Sequence, residues 1–298
     1  MATFKVESEQ HGELNCWRIS SDRAELLIAQ QGAQILSYQR VGEPPLLWLS
    51  DKAIFRQGKS VRAGVPVCWP WFGNLQRNPA SVQAMYRGEQ ASAHGLARTR
   101  DWQLLGVEEK GDDLHIEFEL PEAQGDLPDW PHDVELKLHI VLGGDLTVSL
   151  NSRNMGNSPV TISQALHSYF AVSDVRQAQV EGVDGLQYIE TLADWEQRQQ
   201  QGTLGFAGET DRIYLDTPQQ LSIVDPHWQR RITLASDGSR SAVIWNPWTE
   251  RAKELADMAD DGWQRMLCIE TANVWDDVVE LKPGASSSLQ VRIGSSAI

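Results

Sequence analysis

The chain has 298 residues, 41% of them hydrophobic and 22% charged, an ordinary globular composition with enough length to bury a sizeable core. Forty-one acidic residues against 26 basic ones leave a formal net charge of −15. That balance argues against nucleic acid or an anionic membrane as partner, since both need a broad basic surface, but it leaves room for a small anion held by a few arginines.

Cys16, Cys68 and Cys268 form no close pair, so the spacing offers neither a disulfide framework nor a zinc motif; reduced thiols in a cytoplasmic protein are expected. The opening MATFKVESEQHGEL lacks the features of a signal peptide, and no apolar run approaches the roughly 20 residues that span a bilayer. With no repeat and no Pro/Gly-rich linker, one domain over residues 1–298 is expected.

In chain order, AELLIAQQGAQILSYQR (24–40) is the first strand-like stretch. SVRAGVPVCWPWFG (60–73) follows, carrying Arg62 among glycines and tryptophans, and then a long irregular segment over 73–93, a length that is often functional. AHGLARTRDW (93–102) places His94 beside a glycine and Arg98 close behind; glycine lets backbone approach a ligand, and a guanidinium grips phosphate or carboxylate. DDLHIEFEL (112–120) alternates with period two, and DVELKLHIVLGGDLTVSLNS (133–152) reads as a hairpin turned at Gly143-Gly144-Asp145. His115 and His139 fall on the polar faces of these strands, where solvation is expected.

SQALHSYFAVSDV (163–175) alternates as a buried strand with His167 and Tyr169 on one face. ADWEQRQQQG (193–202) could turn once or twice as helix; LSIV, RITLA and SAVIWN are further strands; TERAKELADMADDG (249–262) reads as a short helix. RMLCIET (265–271) puts Leu267 and Ile269 on one strand face and Cys268 and Glu270 on the other, and SLQVRI closes the series. Many short strands without an amphipathic helical stripe predict an all-β antiparallel sandwich. Twelve tryptophans are numerous; most suit the core, although such rings also suit the apolar face of a sugar. No His-x-His or His/Cys pair has ligand spacing, so no metal is expected.

Together VRAGVPVCWPWFG, AHGLARTRDW, WPHDVELKLHIVLG, ALHSYFAV, TDRIYL and MLCIETANVW, in that order, resemble the hexose-6-phosphate mutarotases, or glucose-6-phosphate 1-epimerases. The resemblance implies a galactose-mutarotase-like fold, a large antiparallel β-supersandwich. It implies His167 and Glu270 as the catalytic acid and base, Arg62 and Arg98 as phosphate ligands, and His94 and Asp211 as further substrate contacts. Ala63, Leu96 and Ser168 stand where Gly, Phe and Thr are common in the family, and Ala93 where some relatives have Gln. No cofactor is implied; the expected partner is a small sugar phosphate, and the expected state a monomer. The alternatives are an aldose 1-epimerase of free sugars, a glycosidase, which needs two carboxylates across the scissile bond, or a non-catalytic carbohydrate-binding protein.

Overall fold

A computed structural model describes residues 3–298. Two large sheets dominate, one of nine strands and one of eight, joined by an N-terminal sheet of four strands and a two-stranded pair. The paired strands run antiparallel throughout these sheets, as the all-β reading predicts. In Val134–Leu142 every second side chain is fully buried and the others are half-buried, the pattern of a strand with one face on a core. It pairs with Leu146–Asn154 in a hairpin closed at Leu142 opposite Leu146, over the Gly-Gly-Asp turn. His115 and His139 meet across their strands at 3.1 Å and are half-buried, so each satisfies the other instead of being left to water.

The eight-stranded sheet carries the chemistry. Its order is Glu196–Gln199, Gln187–Glu190, Thr210–Leu215, Ser241–Asn246, Met266–Asn273, Gln164–Leu166 and Val67–Cys68, with Tyr169–Ala171 also pairing to Met266–Asn273. All eight residues of Met266–Asn273 are buried. Leu267 and Ile269 join the main core with Leu289, Val291 and Ile293 of the facing sheet, while Glu270 lines a cavity on the other side. A strand covered on both faces loses the clean apolar–polar alternation of a half-exposed one, which is why its first half, Met266 to Ile269, reads as a continuous apolar run. Trp69, Trp71, Trp102 and Trp130 are fully buried, in keeping with their core assignment.

Three local expectations are corrected. The segment 193–202 forms no helix: Glu196–Gln199 is an edge strand with all four side chains exposed, where charge and amide groups discourage further pairing. The helix of residues 249–262 is shorter and earlier than its pattern, Trp248–Glu254, and ends where Leu255 turns extended. The strand over 163–175 is split into Gln164–Leu166 and Tyr169–Ala171, and His167 sits in the break. Within 73–93, a 3₁₀ turn at Leu75–Arg77 and one helical turn at Ala80–Gln83 interrupt the irregular backbone.

Candidate active site

Two Gly-containing segments dock at one carbonyl. The Leu96 and Ala97 amides both donate to Trp69 O, at 2.8 and 3.1 Å. Gly95 has φ 72°, and a Cβ there would lie 2.1 Å from that same oxygen. Only glycine combines the left-handed backbone with so close an approach. Gly95→Ala should therefore destabilise the protein by about 3 kcal/mol, from strain plus the clash. Urea unfolding reads this directly, and a loss below about 1 kcal/mol would mean that the docking can relax.

Docking positions His94, itself left-handed at φ 62°. Its Nδ1 accepts from the Gly73 amide at 3.3 Å and lies 3.3 Å from Cys68 Sγ, so the neutral ring carries its proton on Nε2. His167 donates its backbone N–H to Pro66 O at 3.0 Å. Its ring stacks on Tyr169, with centroids 4.8 Å apart and planes 15° from parallel, and meets His94 and Trp245 edge-on.

Strand register supplies the remainder. Asp211 opposes Trp245, Trp245 opposes Cys268, and Cys268 opposes Tyr169; one step along, Ile213, Val243 and Glu270 form the next row. Side chains two apart share a face, so Glu270 shares the face of Asp211, Trp245 and Tyr169. The outcome is an ion-pair contact of 3.3 Å between His167 Nε2 and Glu270 Oε1. A cavity of about 640 Å³ opens above it and is lined by all six expected residues: Arg62, His94, Arg98, His167, Asp211 and Glu270.

The arginines differ. Arg62 Nε donates to Asp257 Oδ1 at 2.7 Å and its Nη1 to the Tyr169 hydroxyl at 3.1 Å. Arg98 Nη2 donates to Ala93 O at 2.9 Å, and Arg98 has no acidic partner among the described residues. Because that contact uses the backbone carbonyl, the alanine at 93 leaves it intact. Sequence reasoning missed Tyr169 and Asp257; for Tyr169 the signal was available, two residues from His167 on the same face.

Burial dominates the electrostatics. It pushes the Glu270 carboxyl well above its usual range, reinforced by the charge of Asp211 and opposed by Arg98. It lowers His167 to about 3, with Arg98 and then Arg62 adding to the effect against a backbone hydrogen bond. His94 is lowered by burial and then by Arg98, and Asp211 is raised to about 6 by burial. Burial thus disfavours the charged form of both members of the Glu270–His167 pair. Glu270 Oε2 and His167 Nδ1 have no hydrogen-bond partner although both are buried. An unpartnered buried polar atom calls for an explanation, and a catalytic role is one of those available. One donor, one acceptor and adjacent cations can move a proton on and off a bound polyol.

Comparison with known proteins is consistent across the chain. A sequence profile described as aldose 1-epimerase matches residues 15–294. A Cenchrus ciliaris protein named "Putative glucose-6-phosphate 1-epimerase" is 34% identical over 267 residues, covering 85% of this chain and 76% of its own. The crystal structure of a "putative mutarotase" from Salmonella typhimurium superposes with a TM-score of 0.88 at 28% identity, covering 98% of this chain and 94% of that one. A galactose mutarotase-like protein from Clostridium acetobutylicum, at 15% identity and a TM-score of 0.75, covers 99% of each chain and shares the fold.

Proposed function

The chain belongs to the aldose 1-epimerase family, and from that premise we propose that it interconverts the α and β anomers of a hexose 6-phosphate, glucose 6-phosphate foremost. The observation that carries the chemistry is the buried pair of His167 and Glu270 at 3.3 Å, each with an unpartnered polar atom. Glu270 takes the proton of the anomeric hydroxyl while His167 protonates the ring oxygen, and the ring opens. The free aldehyde turns about one bond, the two groups exchange roles, and the ring closes on the other face. His94 offers its Nε2–H near the reacting end, and Asp211 fixes a hydroxyl. A glycosidase would need a second carboxylate across the scissile bond, for which Asp211 is the candidate on this face; the group in contact with Glu270 is an imidazole, which favours the epimerase reading.

Arg98 and Arg62 receive the phosphate. Both cations oppose an imidazolium at His167, whereas only Arg98 bears on Glu270. A phosphate dianion on the arginines therefore favours the proton on His167, and a sugar hydroxyl bonded to Glu270 favours its carboxylate. Phosphate binding would in this way poise the acid and the base.

Exchange NMR on the two anomers of glucose 6-phosphate tests the reading. Interconversion should be faster with the protein than without it; equal rates would end the proposal. A narrower expectation concerns Tyr169, whose hydroxyl holds Arg62. Tyr169→Phe keeps the ring stacked on His167 and should raise KM for glucose 6-phosphate about tenfold, the worth of one hydrogen bond to a charged group. The rate on free glucose should not change. A loss common to both sugars would make Tyr169 a support of the fold.

A further inference from the structure

The acid–base pair has a third neighbour of different chemistry. His167, Cys268 and Glu270 offer a ring nitrogen, a sulfur and a carboxylate oxygen, all within 4.8 Å of one another and all buried. Sequence spacing concealed this group: Cys268 and Glu270 lie two apart on one face of Met266–Asn273, and His167 comes from the break in the neighbouring segment. The 3.3 Å between His167 Nε2 and Glu270 Oε1 matches the edge of a tetrahedron whose bonds are about 2.0–2.1 Å, the zinc–nitrogen and zinc–oxygen length. The His167 and Glu270 side chains are only 9% and 2% exposed, so a cation held between Nε2 and Oε1 would be shielded from bulk water. Cys268 is a free thiol beneath them.

We propose that His167, Cys268 and Glu270 form an inhibitory site for a thiophilic divalent cation of the zinc type, which competes with the sugar for the same imidazole and carboxylate. A nitrogen, a sulfur and an oxygen select zinc over magnesium or calcium, which prefer all-oxygen shells. Three protein ligands leave the fourth position directed at the cavity for water. Binding releases the thiol proton to solvent as the sulfur–metal bond forms, and the cation supplies the charge compensation that a buried thiolate lacks. The inhibition rests on the epimerase reading of this pair; the binding does not.

The test separates the two. Chelator-treated protein is titrated with cobalt(II), a spectroscopic stand-in for zinc. A sulfur-to-cobalt charge-transfer band should saturate at one equivalent, vanish on adding zinc, and be absent in Cys268→Ser and Cys268→Ala. Anomer exchange by the wild type should be inhibited by zinc, with glucose 6-phosphate relieving the inhibition. Cys268→Ser should keep the metal-free rate and require at least tenfold more zinc; Cys268→Ala serves if the serine variant folds poorly. Absence of the band, or equal zinc sensitivity in wild type and variant, overturns the site. A cobalt band in a wild-type protein that does not exchange anomers overturns the epimerase reading and leaves the metal site standing.

Discussion

Glu270→Gln is expected to slow anomer exchange by about 10²–10⁴-fold, the usual contribution of a general acid or base, without unfolding the protein. The substitution keeps the shape of a side chain buried within an eight-residue strand and removes only its basicity. It also removes a carboxyl group whose burial opposes ionisation and whose Oε2 is unpartnered, so the melting temperature should hold or rise. His167→Asn should lose activity to a similar degree. The double variant should be little worse than either single one, because two groups that pass one proton between bound states fail together. Anomer-exchange rates beside thermal melts for all three decide the matter. Activity that falls in step with melting temperature, or single losses that multiply fully in the double variant, would make the pair a buried structural contact.

Arg98→Ala should weaken apparent binding of glucose 6-phosphate about ten- to a hundredfold and change that of free glucose far less. A charge-assisted hydrogen bond contributes about 1.5–3 kcal/mol, and about 1.4 kcal/mol is tenfold in affinity. Arg98 is the better reporter of the two arginines, since Arg62 is already engaged by Asp257 and Tyr169 while Arg98 has no acidic partner among the described residues. In a chain carrying 15 more acidic than basic residues, an arginine that lines a cavity without a carboxylate is well placed for an anion from outside. KM and kcat measured for both sugars check this. Equal losses on the two would mean that Arg98 supports the loop at Ala93 and does not read the phosphate.

The hairpin of residues 134–154 was fully legible because its information is local: period two, a Gly-rich turn and one buried face. The segment at 193–202 was not, because its polar residues have no periodic preference and strand pairing at the sheet edge decided their conformation. The helix near 249–262 was legible in kind but not in its bounds. At the site, motif resemblance drew attention to Arg62, His94, Arg98, His167, Asp211 and Glu270, and the fold brings all six to one cavity. Tyr169 went unassigned although its place two residues from His167 on the same face pointed to it; only its hydrogen bond to Arg62, from another segment, is beyond any local pattern.

By itself the sequence determined the all-β class, the 134–154 hairpin and the family, since alternation, turn chemistry and ordered motifs are properties of adjacent residues. The tertiary structure alone decided that His167 and Glu270 stand 3.3 Å apart, that Cys268 lies beside them and that Arg62 is tied to Asp257 while Arg98 is not. Those facts depend on the long-range register of Met266–Asn273 with its neighbours and on the docking of Gly95 against Trp69. The physical reason is that a proton passes only between groups within hydrogen-bond reach, and their pKa values follow from what surrounds them in space.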